Sequence, residues 1–135
     1  MEKQAICEYC VYTIVEGKRL ARLAKNRRQG QFDEGKPWTT ASKLWQKARS
    51  ADQAMLVLFG DAADCSHLLY WSLLTDVHVQ DGATRYAIDR LTRLRGKHTP
   101  QELVLRSSGR NIAKDFIRPY AICMTPPFVT VKHAV

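Results

Sequence analysis

The sequence predicts an α+β fold: a small curled antiparallel sheet or β-barrel with flanking helices. Three observations carry this expectation. Helical spacing dominates the first 50 residues, short β-rich runs take over after Ala54, and Gln80-Asp81-Gly82 offers a hairpin turn between two of those runs. The length of 135 residues and mass of 15.4 kDa suit a single domain, 1–135, able to build a core without disulfides or metal. Within it, residues 1–30 read as a basic helical segment and 54–135 as the antiparallel sheet core with a short helical insertion.

Taken in order, residues 7–25 suit a first helix, with Cys10, Val11, Ile14, Val15, Leu20 and Leu23 inward and Gly17 as a break or end. The β-branched run from Val11 to Val15 leaves a strand open as the alternative. Residues 26–35, with Gly30 and Gly35, read as a loop. Thr39 or Thr40 is expected to cap a second helix running to about Ser50, burying Leu44, Trp45 and Ala48. Residues 55–59 form an apolar run closed by Gly60-Asp61, as a buried strand does, and 68–79 is a longer strand candidate. Residues 84–91 return antiparallel after the Asp81-Gly82 turn. Thr99-Pro100-Gln101-Glu102 has the pattern of a capping box with proline at the first helical position. Further helix is expected at 112–117, and strands at 120–124 and 128–131 around Pro126-Pro127.

Charge narrows the function classes. The chain carries 21 Lys and Arg against 13 Asp and Glu, a net charge of +8, unevenly placed. Residues 1–30 are net +4, 31–50 net +2, 51–90 net −4 and 91–135 net +6. Basic segments of this kind fit a polyanion such as DNA or RNA through phosphate neutralisation; the competing reading pairs them with the acidic middle. No apolar run approaches the roughly 18 residues of a spanning helix, and the polar N-terminus has no signal-peptide core. No membrane partner, reduced thiols and a cytoplasmic location are therefore expected.

Motifs for chemistry are sparse. Cys7-x-x-Cys10 with Cys65 and His67 supplies zinc-ligand types, but the turn residues of a zinc knuckle are missing, so neither metal nor cofactor is expected. Asp61 and Asp64 read chiefly as turn formers, and one or the other as the candidate base of a small nucleoside or nucleotide hydrolase with Lys43 or an Arg stabilising charge. Phosphate-loop and dinucleotide fingerprints are absent. Three basic or aromatic groupings remain. Lys18, Arg22 and Lys25 share a helical face, followed by Arg27 and Arg28. The stretch 36–45 sets Trp38, Thr39, Ser42 and Lys43 beside a helix start, where rings stack on bases and amides favour anions. Arg106-Ser107-Ser108-Gly109-Arg110 is a polar loop suited to a phosphate. Trp71 joins Trp38 as a candidate base-pocket ring, although a tryptophan on a long strand is more often core.

Ile14-Val15-Glu16-Gly17-Lys18-Arg19 is similar to the Gly-Lys-Lys turn after the first helix of ASCH domains. Residues 38–60 resemble the segment leading into the first long barrel strand, and 68–79 the strand that pairs with it. On these residues the chain resembles a PUA-like domain, the group that includes the ASCH and EVE domains. The resemblance implies a cleft that recognises RNA or a modified base in DNA or RNA. Leu20 follows Arg19 where active ASCH amidohydrolases have Thr, and Arg22 and Ala24 stand where a Glu-x-Arg is expected, so hydrolase activity is not implied. The expected function is thus a non-catalytic nucleic-acid-binding domain. The alternatives are a protein-binding adaptor of a phage or defence system, or the hydrolase; oligomeric state is left open.

Overall fold

The computed structural model describes residues 5–64, 66–114, 116 and 120–129. Ten main elements run in the order β1 (Ala5–Ile6), β2 (Tyr9–Val15), α1 (Gly17–Lys25), β3 (Gly30–Glu34), α2 (Thr39–Ser50), β4 (Gln53–Ala54), β5 (Leu56–Asp61), β6 (Leu68–Gln80), β7 (Ala83–His98) and β8 (Tyr120–Met124), with a 3-10 turn at Pro100–Glu102 before β8. The α+β class expected from the sequence is the class found. Six strands form one sheet in the order β3-β7-β6-β5-β2-β8. The sheet is mixed rather than antiparallel throughout, because β2 runs parallel to β5 and antiparallel to β8. It is also open among the described residues, with β3 and β8 at its two ends instead of a barrel seam.

Two cores account for this arrangement. Val11, Val57, Phe59, Tyr70 and Ile88 meet Leu20 of α1 and Ala41, Trp45 and Ala48 of α2 on one face of the sheet. Cys10, Tyr12, Leu56, Leu58 and Trp71 on the other face meet Leu103, Ile112 and Val129. The central strands β2 and β5 are therefore apolar on both sides. This is why 9–15 is a strand and not the first half of a helix: two buried faces erase the period-2 alternation, and β-branched and aromatic residues then decide. Gly17 opens the helix rather than ending it.

Other differences have local causes. The expected loop at 26–35 contains β3, an end strand whose single buried residue, Phe32, gives almost no pattern to read. β7 extends seven residues beyond the expected 84–91 because bulges, with Arg90 at φ 56° and Gly96 at φ 77°, let it keep pairing with β6 while changing direction. Asp81 and Gly82, both at positive φ, make the β6–β7 turn as expected. The Thr99–Glu102 capping box forms, but on a single 3-10 turn. Ile112 does not begin a helix; its N–H donates to the Leu103 carbonyl at 2.9 Å. Phe128 lies in a turn, and 115, 117, 130 and 131 fall outside the described residues. No helix among the described residues is long and apolar enough to cross a membrane.

Candidate nucleic-acid interface

The loop before α2 is fixed from below. Thr84, buried on β7, donates its hydroxyl to the Lys36 carbonyl at 2.7 Å and accepts the Trp38 N–H at 2.8 Å. Trp38 thus occupies the position preceding α2, and the cap expected of Thr39 or Thr40 is not made; the first turn of α2 has neither a side-chain cap nor an acidic residue. The same anchoring buries the Trp38 ring completely, at 0% exposure, between Tyr86 (centroids 4.3 Å apart) and Tyr120 (5.1 Å). Its indole N–H has no hydrogen-bond partner among the described residues. A ring held this way cannot offer a face to a base, which corrects the expectation for Trp38. Trp71 is likewise core, on the opposite side of the sheet.

Above this anchor lies an open cleft of about 700 Å³. Lys36, Pro37 and Thr40 form one wall and Leu105, Arg106, Ser107 and Ser108 the other, with Phe116, Tyr120, Ala121 and Ile122 between them. The second wall is a tight loop. The Gly109 N–H donates to the Leu105 carbonyl, the Leu105 N–H to the Arg110 carbonyl, and the Arg106 N–H to the Ile122 carbonyl of β8. Gly109 at φ 70° permits the turn. The Arg106 guanidinium lies over the Tyr9 ring, 4.9 Å from its centroid, a cation–π arrangement that limits its motion without consuming its N–H donors. Two of the three groupings marked in the sequence, 36–45 and 106–110, therefore converge on one cavity. Tyr120 was not among them: a lone tyrosine beside a proline carries no pattern, and only β8 pairing with β2 brings it here.

The remaining candidates divide sharply. Lys18, Arg22 and Lys25 are exposed on α1, and Lys43 on α2. Thr39 is exposed and Ser42 half-buried, and neither lines the cleft; nor does Arg110, whose N–H donates to the Ser108 hydroxyl at 3.2 Å. Arg27 sits in a separate shallow depression with Gln29, Thr75 and Asp89. Arg28, at φ 62° and exposed, donates its guanidinium N–H groups to the Leu91 carbonyl (3.2 Å) and the Thr92 hydroxyl (2.6 Å). It ties the segment after α1 to β7 while remaining exposed.

The carboxylates and thiols are occupied elsewhere. Asp61 accepts the N–H groups of Gly17 (3.1 Å) and Ala63 (2.9 Å), capping α1 from a strand 44 residues away. Asp64 accepts the Ser66 hydroxyl and N–H, and these bonds lower its pKa, which makes it a poor general base. Cys7 belongs to the helix-side core and Cys10 to the opposite one, so the Cys-x-x-Cys pair diverges. Cys10 instead faces Cys123 across β2–β8. Burial, with Cys123 adding to it, raises the Cys10 thiol well above its usual value, and burial alone pushes Cys123 up to about 12. Among the described residues no cluster of three or more His, Cys, Asp or Glu could hold a metal; Cys65 lies outside them. No protein-family model matches the sequence, and no curated protein matches it.

Proposed function

We propose that the protein is a non-catalytic nucleic-acid-binding domain whose cleft takes one unstacked nucleotide of DNA or RNA. The observation that carries this reading is the convergence of Lys36, Thr40, Arg106, Ser107 and Ser108 around Tyr120 in a single cavity. Cations and hydroxyls suit a phosphate, and a tyrosine backed by Trp38 supplies a rigid ring for a base. A volume near 700 Å³ is in the ordinary range for a small-molecule or single-nucleotide site. The described lining residues include no carboxylate, imidazole or thiol, which favours recognition over hydrolysis. The PUA-like resemblance supports the same reading and extends it to a modified base, with the sheet open rather than closed into a barrel.

Fluorescence anisotropy with short single-stranded DNA and RNA tests it. Arg106→Gln is expected to weaken binding about 10- to 150-fold, the range for a lost charge-assisted contact of about 1.5–3 kcal/mol. Equal affinity for wild type and variant would remove the cleft from the function. Retention of an acidic protein after nuclease treatment, with no oligonucleotide binding, would instead make the domain an adaptor.

A further inference from the structure

α1 and α2 pack on the same face of the sheet through Leu20, Ala41, Trp45 and Ala48, and neither helix contains an acidic residue. Together they carry Lys18, Arg19, Arg22 and Lys25, then Lys43, Lys47 and Arg49. The fold uses two of these seven internally. Arg19 donates to the Gln31 carbonyl at 2.7 Å and covers the Phe32 ring at 4.1 Å, and Arg49 lies 5.3 Å over the Trp45 ring. The other five, Lys18, Arg22, Lys25, Lys43 and Lys47, are exposed and form no ion pair among the described residues, where the only pairs are Arg85–Asp33 and His98–Glu102.

We infer that the outer face of α1 and α2 is a second surface, whose five cations are not among the cleft's lining residues, that holds the phosphate backbone of a nucleic-acid duplex; this rests on the nucleic-acid reading above. Lys18, Arg22 and Lys25 lie along one side of α1, and Lys43 and Lys47 are one turn apart on α2, about 6 Å by the helical rise. Two short cationic rows result, supported by a rigid sheet. The exposed positions of both helices include no aromatic residue; Trp45 is buried beneath Arg49. Binding a single strand relies on rings that stack on its bases, whereas a duplex has its bases already stacked and presents its phosphate backbone rather than open base faces. The helical layer presents cations without rings, and so suits the duplex. The cleft, with Tyr120 and far fewer cations, suits the unpaired nucleotide.

The test is the salt dependence of binding to a 20-base-pair duplex DNA by the full chain. Five neutralised phosphates give a slope of about −4.5 in log K against log salt. Lys18→Gln, Arg22→Gln and Lys25→Gln together should flatten it by about 3, and Lys43→Gln with Lys47→Gln by about 2, at unchanged melting temperature because all five are exposed. Single-stranded binding to the cleft should persist in both variants. A slope unchanged in both sets overturns the inference. Failure of wild type to bind duplex while it still binds a short oligonucleotide overturns this inference alone; failure to bind either removes the nucleic-acid reading with it. Binding to anionic phospholipid vesicles but to no duplex would assign the surface to a membrane face and also overturn it.

Discussion

Tyr120 stacks on Trp38 with ring centroids 5.1 Å apart and planes inclined by 28°, and the two rings differ in what they can do. Trp38 is enclosed, with Tyr86 on its other side, whereas Tyr120 is half-buried and lines the cleft. Burial raises the Tyr120 pKa, so the phenol stays neutral and does not repel a phosphate. Tyr120→Ala should weaken single-stranded oligonucleotide binding about 5- to 150-fold, the equivalent of 1–3 kcal/mol for one stacked base. Trp38→Ala should instead act on the fold, at a cost of about 3–5 kcal/mol for a large core ring. Thermal melts and anisotropy on the two variants separate these effects. A Tyr120→Ala protein with native melting and native affinity would exclude the stack from recognition.

Arg28 gives the opposite kind of cation. Its guanidinium is spent on the Leu91 carbonyl and the Thr92 hydroxyl, and the Leu91 N–H returns a bond to the Arg28 carbonyl at 3.0 Å. Arg28→Gln should therefore lower stability by under about 1 kcal/mol, because the side chain is exposed, and leave the salt slope of duplex binding unchanged. A slope that flattens by about 1 would return Arg28 to the phosphate contacts.

The contrast between Arg28 and Arg22 shows where sequence reading stops. Both sit in one basic run, and composition treats them alike; only the left-handed backbone at Arg28 turns its side chain back onto β7. The hairpin at Asp81-Gly82, the capping box at Thr99–Glu102 and α2 were legible because each rests on contacts a few residues apart. β2 was not, because its partners β5 and β8 lie about 45 and 110 positions away and cover both its faces. Half of the cleft was visible for the same reason. The 36–45 and 106–110 segments announce themselves by composition, but Tyr120 joins them only through long-range pairing, and Trp38 reads as a base-pocket ring because nothing local tells of Thr84 beneath it.

Gly17 and Asp61 form a cap that no local pattern contains. A Cβ at Gly17 would stand 2.5 Å from Oδ2 of Asp61, so the carboxylate has to shift, which weakens the bond it accepts from the Gly17 N–H. Glu16, in the N-cap position, makes no side-chain bond that could replace it. Gly17→Ala should cost about 0.5–2 kcal/mol, as a weakened cap does, despite alanine's higher helix propensity. Asp61→Ala should cost about 0.5–2 kcal/mol, as the loss of a cap does. The double variant should cost much less than the sum, since each change acts on the same bond. Additive melting shifts would show that the two residues act independently.

Glu102 sets a dependence on acid. The His98 ring beside it, then the Thr99 N–H, lower its pKa below the ordinary 4.5; its Oε1 lies 3.0 Å from His98 Nδ1 and its Oε2 accepts the Thr99 N–H. The folded protein thus holds this proton less tightly than the unfolded chain does. The carboxylate contributes its stability at pH values above its unfolded value, and that contribution is lost as pH falls through the lower folded value. Glu102→Gln should therefore melt at a lower temperature than wild type near pH 6, and the two melting temperatures should converge as the pH is taken toward 3. His98 stacks on Phe128 at 3.8 Å, which keeps the imidazole oriented toward Glu102. Phe128→Ala should consequently reduce the difference between wild type and Glu102→Gln. A gap that stays constant from pH 6 to pH 3 would show that the charge on Glu102 does not stabilise this turn.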